Sequence, residues 1–174
     1  MLRACVLSVV LALAGCVTEP VASDRAQSRP ALSAAAATAE VQARQNRFAS
    51  YPQPDMTYLS FSHAHGYQVN YLGADGRAWL WYPGNRRGVA EEYQLSYAWG
   101  EKVICWRHPS NSYNPVTKKK GGDYACESLN LAQRATVAAL KGDVFQLKSG
   151  AVPYRLDRCQ APEAFEFDRS KFGC

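Results

Sequence analysis

The sequence predicts a mainly β domain: a small antiparallel sheet, barrel-like or sandwiched, with two disulfides, behind a flexible Ala-rich tether. Three observations predict it. Tyr67, Val69 and Tyr71 alternate with Gln68 and Asn70, and Trp79 and Trp81 continue the pattern beyond Ala74-Asp75-Gly76-Arg77. Tyr93, Leu95, Tyr97 and Trp99 repeat the same period, and Val103–Arg107 returns after a turn at Gly100-Glu101. Cysteines at 105, 126, 159 and 174 fall in the same region, an even set suited to disulfides. Period two puts alternate side chains on one face of a strand. Asp-Gly between two such runs favours a hairpin, because both central positions take positive φ.

Taken in order, the chain opens on an address. Arg3 precedes the apolar run Ala4–Leu13, and small residues Ala14 and Gly15 lead to Cys16. A positive end, a short apolar stretch and small residues before a cut site make a secretory signal. The run is about half of the ~20 residues that a spanning helix needs. Leu13-Ala14-Gly15-Cys16 resembles the lipobox of bacterial lipoproteins. That resemblance implies cleavage after Gly15, a lipid thioether on Cys16 and acylation of the new amino terminus. Two or more acyl chains, at ~0.8 kcal/mol per buried CH₂, hold a protein stably on a bilayer. Val17, rather than Asp, follows the lipidated cysteine, which implies the outer membrane of a diderm, facing the periplasm. Residues 1–15 are then the signal peptide.

Residues 16–50 read as the lipidated tether, disordered or partly helical. The stretch is rich in Ala, Ser, Pro, Gln and Arg and has no aromatic residue before Phe48, too little apolar area to offset chain entropy. Within it Ala34–Arg44 has high helix propensity, with Ser33 as cap. Its expected role is reach.

Residues 51–174 read as a single β-rich periplasmic domain. Pro83-Gly84-Asn85 separates the two hairpins. Tyr124–Leu131 reads as a further strand. Thr136–Lys141 is ambiguous and reads as a turn or two of helix. Val152–Leu156 reads as a last short strand, placed at an edge by Pro153. Four cysteines allow three pairings; Cys105–Cys126 and Cys159–Cys174 are expected because each closes a local loop. No C-x-x-C or His-Cys spacing points to a metal instead.

Catalytic signatures are absent: there is no G-x-S-x-G and no H-E-x-x-H. Cys105 and His108 fall on opposite faces of a strand, as do the adjacent Glu91 and Glu92. His63 and His65 would share a face on a strand, with His108 a weak third ligand, but H-x-H alone is common, and no metal or cofactor is expected. Trp79, Trp81, Trp106 and Tyr113, with the run Lys118, Lys119 and Lys120, form the candidate binding surface; core packing is the competing assignment for the tryptophans. The loop Asn111–Gly122 is the first place to look for recognition. The formal net charge is +5. In an exported protein this points to anionic lipid headgroups or acidic envelope polymers and away from nucleic acid.

The function expected is that of a binding or accessory module of the cell envelope, held to the membrane by its lipid and engaging an envelope protein or glycan. Small lipoproteins that inhibit lysozyme share this plan of anchor plus β domain, although their cysteine and loop pattern is not matched here. The alternative is an envelope hydrolase directed at peptidoglycan, with His63 or His65 as acid/base.

Overall fold

A computed structural model describes residues 33–173 of the chain. The expected signal peptide, Cys16 and Cys174 lie outside these described residues. Seven strands form one antiparallel sheet that curls into a half-barrel: β1 (Met56–Ser62), β2 (Gly66–Leu72), β3 (Arg77–Trp81), β4 (Val89–Ala98), β5 (Glu101–Arg107), β8 (Tyr124–Ser128) and β9 (Thr136–Lys141). Their order is β8-β5-β4-β3-β2-β1-β9. A small separate ladder, β6 (Tyr113–Asn114) with β7 (Lys119–Lys120), stands in the loop between β5 and β8. Helix α2 (Leu129–Ala135) follows β8 at one edge, touches β5, β8, β1 and β9, and delivers the chain to β9 at the other edge. Among the described residues no helix is long and apolar enough to cross a membrane.

Both expected hairpins form. In β2–β3 the loop is one residue longer than the Asp-Gly signal implies: Gly73 N donates to Arg77 O, and only Gly76 takes positive φ. In β4–β5 the turn falls one residue early. Trp99 (φ 51°) and Gly100 (φ 80°) occupy it, so Trp99 leaves the strand. Thr136–Lys141 is a strand, not helical turns. It pairs with the outer edge of β1, whose ladder groups otherwise lack partners, and that tertiary demand overrides a short Ala-rich segment's weak local preference. Val152–Leu156 is not a strand. Only Arg87 and Ala151 form an isolated bridge there, Pro153 has no N–H to offer, and the Tyr154 carbonyl accepts from Trp81 Nε1 at 3.1 Å.

The sheet buries both faces. On one, Leu59, Phe61, Tyr67, Val69, Tyr71, Trp79 and Trp81 pack under Leu147, Leu156, Phe165 and Phe172 of the C-terminal segment. Trp79 and Trp81 are 3% and 0% exposed, so both leave the candidate binding surface and belong to the core. On the other face Tyr58, Leu72, Ala78 and Ile104 pack against Ala132 of α2, with Phe48 and Tyr51.

The helix expected inside the tether forms as α1 (Ala34–Gln42), with the Ser33 hydroxyl accepting from Ala36 N. It is docked rather than free. Ala37 and Val41 are buried, and α1 touches α2 and β1. Arg44 donates to Phe61 O at 2.9 Å and pairs with Glu40. Arg47 Nε donates to Gln133 Oε1 at 2.6 Å, and Gln133 Nε2 donates to Tyr51 O at 2.8 Å. Residues 33–50 therefore pack with the domain.

Cys105 and Cys126 face each other across β5 and β8 and form the expected disulfide. Of the second expected pair, Cys159 and Cys174, the latter lies outside the described residues.

Candidate functional site

The alternation of the strands collects polar side chains on the face that α2 covers. Cross-strand partners share a face, so the register Asn70↔Leu80, Ala78↔Glu91, Tyr93↔Trp106 and Ile104↔Glu127 puts Asn70, Glu91, Trp106 and Glu127 together. These residues line one cavity of about 350 Å³, within the size range of small-molecule sites. Helices α1 and α2 and the tip of the β5–β8 loop, through Asn114 and Thr117, complete its walls.

At its floor the Glu91 side chain is 1% exposed. Asn70 Nδ2 donates to Glu91 Oε1 at 2.8 Å, reaching over β3 where Ala78 is small. His108, just past β5, places Nδ1 2.5 Å from Glu91 Oε2. Burial pushes the Glu91 carboxyl pKa up, while His108 and Asn70 pull it down. The Glu91 carboxylate pushes the His108 imidazole up, against partial burial. His108 is fixed at the base of the loop, where its carbonyl accepts from Gly122 N at 2.9 Å.

A second imidazole lines the same cavity. His65 Nδ1 lies 3.2 Å from the Tyr82 hydroxyl, and burial, helped by the charge of Arg158, lowers its pKa. Its neighbour His63 is elsewhere, edge-on to Phe61 with centroids 5.3 Å apart. His63, Ala64 and His65 are the turn between β1 and β2, not a strand, so His63 and His65 diverge and do not make the shared-face pair considered from sequence. Among the described residues no group of three or more His, Cys, Asp or Glu side chains gathers as for a metal ion.

Glu127 also lines the cavity, and Trp106 Nε1 donates to its Oε1 at 3.3 Å. Its residue surface remains accessible to water, and the protein mass around its carboxyl raises the pKa. Trp106 is half-buried, tilted against Tyr93 at 5.9 Å, and is the one tryptophan of the candidate surface that meets the cavity. Tyr113, Lys118, Lys119 and Lys120 are exposed on the small ladder and its turn, and none lines the cavity.

Glu91 and Glu92 do face opposite ways: Glu92 pairs with Arg107 and accepts from Tyr124 at 3.0 Å on the other side of the sheet. The Glu91–His108 pair was missed from sequence. Its signal was an acid in register with Val89, Tyr93 and Leu95, where the period asks for an apolar residue.

The chain is thus a curled antiparallel β domain with a polar cleft under its covering helices. No family model, curated protein or solved structure matches it.

Proposed function

We propose that this chain is an exported, lipid-anchored module of the cell envelope, displayed on the periplasmic side of the outer membrane through Cys16, and that the cleft beneath α2 is where it binds an envelope glycan or protein segment. The observation that carries the binding site is the Asn70–Glu91–His108 cluster at the cavity floor. A buried ion pair contributes little to stability relative to apolar packing, so its placement in a cavity favours a role in recognition. Trp106 adds an aromatic wall, and Asn114 and Thr117 bring the loop singled out in the sequence to the rim. An oxidising compartment also accounts for the cysteines, with Cys159 paired to Cys174.

In-cell crosslinking followed by mass spectrometry tests the reading. One envelope partner is expected, lost on Trp106→Ala and on Asn114→Ala/Thr117→Ala. With Cys16→Ser the protein should leave the membrane fraction. Unchanged fractionation of that variant would sink the anchor, and a partner indifferent to the cleft variants would sink the site.

A second reading, an envelope hydrolase, is favoured by one observation: a carboxylate orients an imidazole inside a cavity, the arrangement of a general base. His108 with Glu91 would then be the pair, rather than His63. Turnover of peptidoglycan by the wild type, lost in His108→Ala, would establish it.

A further inference from the structure

Charge is unevenly distributed between this cleft and the rest of the molecule. The chain carries 20 Lys and Arg against 15 Asp and Glu. Yet no Lys or Arg lines the cavity, while Glu91 and Glu127 do. Glu91 has a counter-charge in His108. Glu127 has no ion-pair partner among the described residues; its one side-chain hydrogen bond is the indole N–H of Trp106. His65, the other group able to carry positive charge there, is disfavoured as a cation by burial. Tyr51, Tyr58 and Trp106 supply aromatic walls around these carboxylates.

We propose, resting on the reading of the cleft as a binding site, that its ligand carries a positive charge, a primary amine, with Glu127 as counter-ion and Trp106 beside it as an aromatic wall. An anionic group would meet like charge, and the one cation beside it, His108, is already engaged by Glu91. A neutral group would cover Glu127 and leave its charge without either water or a cation, which is costly. An ammonium group meets both demands. It pairs with the carboxylate and is attracted by the negative faces of the aromatic rings. The volume of about 350 Å³ admits a monosaccharide or a short alkyl chain bearing that amine.

Isothermal titration of the full chain with two matched pairs tests this: glucosamine against N-acetylglucosamine, and cadaverine against 1,5-pentanediol. At least one amine should bind about tenfold or more tightly than its neutral counterpart, and Glu127→Gln should erase the difference while circular dichroism stays unchanged. Equal or tighter binding of the neutral compounds overturns the charge preference and leaves the cleft as a binding site. Amine preference retained in Glu127→Gln overturns the assignment of Glu127. No binding of any of the four probes overturns the inference and counts against the binding reading itself.

Discussion

His108 Nδ1 lies 2.5 Å from Glu91 Oε2, and the Glu91 side chain is 1% exposed while that of His108 is 36% exposed. One partner is thus closed off from water and the other reaches it. Both pKa values move upward, Glu91 through burial and His108 through Glu91.

The sign for stability follows. A group whose folded pKa lies above its unfolded value favours the folded state fully below the unfolded value, and loses that contribution as pH rises through the folded one. Both groups act in this direction, Glu91 from its ordinary value of 4.5 upward and His108 from 6.5 upward. Unfolding free energy from denaturant titrations should therefore fall more steeply from pH 6 to 9 in the wild type than in Glu91→Gln. Parallel slopes would remove the pair from the pH response. His108→Ala should cost about 1–3 kcal/mol, less than for a fully buried pair because water reaches His108.

Trp81 is fully buried, touches Phe145 and Tyr154 edge-on, and donates its indole N–H to Tyr154 O. Trp81→Ala removes the packing and leaves that carbonyl without its partner. A loss of about 3–5 kcal/mol is expected by denaturant titration. A loss under about 1 kcal/mol would mean that the C-terminal segment does not depend on this anchor.

These tryptophans show what the sequence carried and what it did not. The alternation around Trp79 and Trp81 was legible as strand because period two is local. Which face was covered was not, because the cover comes from Leu147 to Phe172, far along the chain. The strand β1 escaped notice for a related reason. Thr57, Leu59 and Phe61 are buried on one face and Tyr58 on the other, so apolar residues run together and the alternation blurs. Thr136–Lys141 has no decisive period of its own, and its strand state depends on the β1 edge. The cleft needed the register of four strands, β2 to β5, before Asn70, Glu91 and His108 met.

One cysteine pair was legible from its local spacing. Cys105–Cys126 closes a separation of 21 residues. Replacing both by Ala should cost about 3 kcal/mol through freedom regained by the unfolded chain. Peptide mapping without reduction should recover two linked pairs, the second being Cys159 with Cys174. Recovery of Cys159 linked to any other cysteine would refute that second pairing. Since Tyr67 N donates to Arg158 O at 3.0 Å and the Tyr67 hydroxyl donates to Phe172 O, the carboxyl-terminal end is held to the sheet on both sides of the loop that this bond would close.

Trp99 combines two costs that a turn residue ordinarily avoids. Its φ is 51°, a region that favours Gly and Asn over a bulky side chain, and it is 76% exposed. Leu95 and Tyr97, also exposed, lie on the same hairpin, and beyond Glu92 that side of β4 has no strand beside it among the described residues. Among the described residues no hydrogen bond or ring contact engages the Trp99 indole, and Asn-Gly is the favoured pair for a two-residue turn. Trp99→Asn should raise unfolding free energy by about 0.5–1 kcal/mol, by relief of that backbone preference. Thermal and denaturant unfolding of the variant would show it. A loss of stability instead would mean that the exposed indole makes a contact which holds the hairpin.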